Sequence, residues 1–95
     1  MKKKYELTIL SRIDSKVSEF KQYLDKITKD RNIKLDIEEV KENYSLAYPI
    51  LEQDKATFYY GTLYGDEEDV KEVIQIFNIN EDVLRYLLVI SNDNK

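Results

Sequence analysis

Three observations in the sequence predict an α+β fold of six elements. Segments with period-two alternation stand near the start, the middle and the end of the chain. Two segments with apolar residues at spacings of three and four lie between them. The only proline, Pro49, falls where the resulting topology has an edge strand, which tolerates a missing ladder donor. The order strand, helix, strand, strand, helix, strand builds two βαβ halves joined by a hairpin. That is the ferredoxin-like split βαβ sandwich (βαββαβ): a four-stranded antiparallel sheet with two helices on one face. Right-handed crossovers put the first and third strands in the middle.

The first strand runs from Tyr5 to Leu10, with Tyr5, Leu7 and Ile9 on one face and Glu6 and Thr8 on the other. Asp14 or Ser15 is the expected cap of the first helix. Ile13, Val17, Phe20, Leu24 and Ile27 form its apolar stripe, and Lys16, Glu19, Lys21, Asp25, Lys26 and Lys29 its wetted side. A second strand begins near Leu35, setting Leu35, Ile37 and Glu39 against Asp36, Glu38 and Val40, and continues weakly to Leu51. Glu52-Gln53-Asp54-Lys55 reads as a polar turn. An aromatic strand follows from Ala56 to Tyr64, with Phe58, Tyr60, Thr62 and Tyr64 on one side and Tyr59, Gly61 and Leu63 on the other. Asp66 is the expected N-cap of the second helix, with acids in its first turn, Val70, Val73, Ile74 and Phe77 on its buried face, and Asn78 closing it. Val83–Ile90 is the last strand, and Ser91–Lys95 a short disordered tail. Nothing divides the chain, so residues 1–95 are expected to form a single domain with a radius of gyration of about 12 Å.

Composition narrows the function. The chain has no cysteine and no histidine, which removes disulfides, thiolate metal sites, and the commonest general base and metal ligand. Its two glycines, Gly61 and Gly65, cannot form a glycine-rich phosphate loop. No enzyme, cofactor or metal is expected. No apolar run is long enough to cross a membrane, and the start lacks the apolar core of a signal peptide, so a cytoplasmic protein is expected. The net charge of −4 argues against non-specific nucleic-acid binding by the whole molecule, although Lys2, Lys3 and Lys4 form one basic run.

Two helices on one face leave the other sheet face uncovered, and such a face binds nucleic acid, another protein or a second copy of the chain; fold alone does not choose. Tyr59, Tyr60 and Tyr64 offer stacking surface, but packing in or beside the core is the preferred reading for most of them. Thr57-Phe58-Tyr59-Tyr60-Gly61-Thr62 lacks the basic residue and paired glycines of an RNA-recognition motif.

The block Leu46-Ala47-Tyr48-Pro49-Ile50, with "KKYELTIL" before it and "VLRYLLVI" after it, resembles the bacterial family of small ribosomal subunit protein six. The resemblance runs from Lys3 to Ile90. It implies the fold already reached, and a structural role on the ribosome. It also implies two partners: protein eighteen of the same subunit, and the central domain of the small-subunit ribosomal RNA that the two bind as a pair. Carried over by position, Lys3 and Lys4 match the two basic residues before Tyr5-Glu6, Lys55 matches a hairpin lysine, and Arg85 matches an arginine that opens the last strand. Lys2 adds a further cation to the same RNA-binding set. Tyr5, Glu6 and the Leu46–Ile50 block are implied fold or partner contacts. The chain departs from the family in having Glu42-Asn43-Tyr44-Ser45 where arginines often precede the block, Ile90 where a base often stands, and a short C-terminal extension. The rival reading is a ferredoxin-like regulatory or interaction domain that dimerises through its open sheet. An acylphosphatase-type phosphate loop would need glycines around Arg12, and Ser11-Arg12-Ile13-Asp14-Ser15 has none.

Overall fold

The computed structural model describes residues 2–91. Six elements follow in the expected order: β1 (Lys2–Ser11), α1 (Val17–Lys29), β2 (Lys34–Ile50), β3 (Gln53–Asp66), α2 (Glu67–Ile79) and β4 (Val83–Ile90). The sheet is antiparallel, with strand order β2-β3-β1-β4, so β1 and β3 are central and Pro49 lies on an edge strand. This is the ferredoxin-like sandwich. Among the described residues no helix is long and apolar enough to cross a membrane.

Period-two alternation in β1 buries Tyr5, Leu7, Ile9 and Ser11 toward the helices, and β3 does the same with Tyr59, Leu63 and both glycines. Phe20, Leu24 and Ile27 of α1 and Val70, Val73 and Phe77 of α2 close the core over that face. Tilted ring pairs lock the layers together: Phe20 against Tyr59 at 4.9 Å and Phe77 against Tyr86 at 5.5 Å. Arg31, just past α1, joins the helices by donating to Glu72 Oε1 at 3.0 Å and to the Ile27 carbonyl at 3.0 Å.

Several local expectations are corrected. The first helix is capped at Lys16, not Asp14 or Ser15, with no side-chain cap hydrogen bond. The Ser15 amide instead donates to the Arg12 carbonyl at 3.1 Å, which spends those residues on a turn. Ile13 therefore precedes the helix and is 45% exposed, and Thr28 takes a buried place with its hydroxyl donating to the Leu24 carbonyl at 2.9 Å. Asn32 at φ 56° reverses the chain after α1, where the Ile33 amide donates to the Thr28 carbonyl at 3.0 Å. Asp66 occupies the N-cap position of α2 as expected, in extended backbone, but makes no side-chain cap hydrogen bond. Asn78 is still helical, and the helix closes at Asn80, also in extended backbone.

The second strand is more irregular than its sequence suggests. An extra residue at Glu38 shifts the pairing between Ile37↔Gly61 and Glu39↔Tyr60. The bulge returns Val40, opposite Tyr59, to the face of Leu35 and Ile37. A second bulge lies at Glu42-Asn43, where Asn43 has φ 55°. The expected polar turn at 52–55 is shorter and earlier. Ile50 pairs with Gln53, and Leu51 and Glu52 make a two-residue turn with φ 49° and 64°, leaving Asp54 and Lys55 in β3. β1 stops pairing at Ser11↔Thr57, so the rest of the β2–β3 hairpin extends as a two-stranded arm. The radius of gyration of 13.3 Å and extents of 39 × 29 × 20 Å reflect that arm. Ser91 still donates its amide to the Lys4 carbonyl at 2.9 Å, and the remainder of the expected tail, 92–95, lies outside the described residues.

Candidate functional site

The sheet face away from the helices is organised in four cross-strand rungs. Residues paired across adjacent strands share a face, so the pairing register reads the surface directly. The first rung is Lys34–Tyr64–Lys4 and the second Asp36–Thr62–Glu6–Val89. The third is Glu39–Tyr60–Thr8–Leu87 and the fourth Lys41–Phe58–Leu10–Arg85. Each end rung carries bases around an aromatic ring, and the two inner rungs carry acids toward β2 and apolar side chains on β4. Leu87 is 61% exposed and Val89 47%, so the β4 side of the face is an uncovered apolar strip. On the fourth rung the Lys41 ammonium sits 5.6 Å from the Phe58 ring centre, with Tyr44 stacked against that ring at 5.1 Å. Partial burial raises the pKa of the Tyr60 phenol, Glu6 and Glu38 reinforce the shift, and Lys4 opposes it.

The bases singled out from the sequence do not form one patch. Lys2 and Lys4 lie at the outer end of β1 on the open face. Lys3 alternates to the other face, where its ammonium is 3.8 Å from Glu67 Oε1. Arg85 is exposed on the fourth rung, six residues along β1 from Lys4, a separation of roughly 20 Å. Lys55 is exposed on the β2–β3 arm, opposite Ser45. Sequence reasoning missed Lys34, Lys41 and the exposure of Tyr64, because only strand register shows that they join these rungs.

The mid-chain block is a surface feature. Leu46, Ala47, Tyr48 and Pro49 together oppose the single residue Asp54, which forces them out of the ladder near the tip of the arm. Tyr48 is 85% exposed, Ala47 and Pro49 are exposed, and Leu46 and Ile50 are half-buried. Tyr5, by contrast, is a core residue whose phenol burial pushes its pKa up, with Glu67 adding to the shift, while Glu6 lies on the second rung of the open face. Arg12 donates through Nε to the Glu81 carbonyl at 3.0 Å, and its amide to the Asp82 carbonyl at 2.9 Å. It ties β1 to the start of β4 rather than pointing into a cradle of free amides. Among the described residues no group of three or more Asp, Glu, His or Cys side chains could hold a metal ion.

Fold and surface together define a small ferredoxin-like domain with one sheet face left open. A family model described as Ribosomal protein S6 matches residues 4–90. The chain belongs to that family, whose members are ribosomal proteins of the small subunit. It is 32% identical over 85 residues to small ribosomal subunit protein bS6 of Metamycoplasma arthritidis (strain 158L3-1), covering 90% of this chain and 51% of that protein. The chain thus spans about half the length of the curated relative it matches. Its fold is similar to the crystal structure of 30S ribosomal protein S6 from Thermotoga maritima, with a TM-score of 0.75 over 98% of this chain and 91% of that one, at 16% identity.

Proposed function

We propose that the chain works as one structural domain of the small ribosomal subunit in the cytoplasm, binding the central domain of the small-subunit RNA together with protein eighteen of that subunit. The observation that carries the reading is the family match over residues 4–90, on a chain whose open sheet face has both a charged and an apolar part. In this reading Lys2, Lys4, Lys55 and Arg85 contact phosphates. Lys3 contributes less, because Glu67 already neutralises part of its charge. Leu87 and Val89 present the apolar surface to the partner protein, and the acids of the inner rungs favour a basic one. At net charge −4 the chain binds RNA weakly alone, so the protein pair is the binding unit. No catalysis is assigned to it.

Co-sedimentation with small subunits in a sucrose gradient, followed by gel shift of central-domain RNA with and without the partner, tests this. Absence from the subunit fraction, or tight binding of the RNA by this chain alone, overturns it. The exposed Leu87–Val89 strip also favours a second reading, self-association through the open sheet. Sedimentation velocity of the isolated chain separates the two, since that reading requires a dimer.

A further inference from the structure

We propose that the outermost rung, Lys34–Tyr64–Lys4, is a binding site for one unpaired nucleotide of an RNA strand, with the base stacked on Tyr64 and the adjoining phosphates held by the two lysines. The proposal rests on the reading that this chain contacts RNA, and adds a site and a binding mode to it. Lys34 pairs with Tyr64 and Tyr64 with Lys4, so one aromatic side chain has a base on each flanking strand, all on the open face. The outer two strands of the rung are about 10 Å apart, close enough for both lysines to flank the same ring. Tyr64 is 47% exposed, although its neighbours Leu63 and Gly65 are buried. A shallow cleft of about 560 Å³ opens at this rung, lined by Lys4, Lys34, Leu35, Asp36, Thr62 and Tyr64.

The other candidate platforms on this face are less suited to a base. Tyr60 is half-buried between acidic positions, and Phe58 already carries Lys41 and Tyr44. Charge also sets the direction of the strand. Asp36 and Glu6 stand one rung inward, so phosphates are repelled toward the middle of the sheet and favoured across the outer rung. Stacking on an exposed tyrosine flanked by lysines is indifferent to base identity, because every base has a π-face.

The test is an NMR titration of the full chain with the oligoribonucleotide tetra-adenylate at low salt. The expected result is amide shifts at Lys4, Lys34, Thr62 and Tyr64, with Tyr64 ring protons moving upfield. Tyr64→Ala should weaken binding about 5- to 150-fold, the range for losing one base–aromatic stack, while Tyr64→Phe retains it. Lys34→Gln should lower the magnitude of the salt slope by about 0.7, one single-strand phosphate contact. Shifts at Arg85 and Lys55 with none at the cleft would overturn the proposal and leave RNA binding standing. Absence of any shift would also overturn it, while the ribosomal reading is judged separately by co-sedimentation. Equal shifts with tetraglutamate would overturn it in favour of an acidic peptide.

Discussion

Replacing Gly61 by alanine tests how tightly β2 and β3 are held together. Neither glycine of the described chain has a positive φ, so backbone freedom is not the reason for glycine here; space is. A Cβ at Gly61 would run into the Asp36 carbonyl oxygen and lie 2.9 Å from Ile37 Cα, and both are backbone atoms of the paired strand. They can yield only if the strands part. Overpacking of this kind costs about 1–3 kcal/mol, and a rigid obstacle puts it near the top of that range. Alanine restricts the unfolded chain and returns about 0.4–1 kcal/mol. The expected net loss is about 2 kcal/mol, or roughly 8–16 °C in Tm for a domain of this size. Gly65 is the internal comparison. There the added Cβ meets Ile33 Cγ1 at 2.9 Å, the side chain of a residue that can shift, so Gly65→Ala should cost less. Thermal and urea unfolding followed by circular dichroism measure both. A Gly61→Ala protein as stable as the parent, or less perturbed than Gly65→Ala, would refute the steric argument.

Arg85→Ala should reduce the magnitude of the salt slope of partner–RNA complex formation by about 0.9, a duplex-DNA value carried to RNA, while Lys26→Ala on the helix side leaves it unchanged; the reverse order would place RNA on the wrong face. Burial raises the phenol pKa of Tyr5, Tyr23 and Tyr59 above 10.0 in the folded state. The unfolded phenols ionise first, so stability is complete below about pH 10 and falls as pH rises above it. Tyr59→Phe should flatten that alkaline loss in a pH series of urea midpoints, and an unchanged slope would exclude Tyr59 as a contributor. Glu52→Gly should stabilise the chain by about 1 kcal/mol in the same assay, since Glu52 holds φ 64° in the hairpin turn and glycine adopts that conformation without strain; a destabilised variant would mean the turn is not as described.

The parts of the fold that repeat a simple period were legible in the sequence. Tyr5, Leu7 and Ile9 announced β1, and Phe20, Leu24 and Ile27 announced α1, because burial on one side enforces a constant spacing. Pro49 on the edge strand was legible for the same reason: a missing amide can be tolerated only where no ladder needs it. What failed was local and aperiodic. A bulge at Glu38 shifts the parity of β2, so the alternation that grouped Val40 with Asp36 could not hold beyond it. Asp14 and Ser15 had the chemistry of caps, but a turn anchored by Arg12 claimed them first. The basic run was visible as charge, yet alternation sends Lys3 to Glu67 and Lys4 to the open face. The Lys34–Tyr64–Lys4 rung joins residues from three strands, and no local pattern states which of them become neighbours.

The place of β1 between β3 and β4 has a consequence in time. Leu7 pairs with Gly61 on one side and Leu88 on the other, both far downstream. During synthesis this central strand emerges before either of its neighbours, and β4 is the last of the four strands to follow. The β2–β3 hairpin closes over a short loop and can form its ladder while β1 is still unpaired. Pulse-labelled hydrogen exchange on refolding should therefore protect amides of that hairpin before those β1 amides that bond only to β4. Until β4 arrives, the apolar strand β1 is itself an edge open to any other nascent chain; once the eight-residue β4 pairs with it, β1 becomes interior and the edge passes to β4.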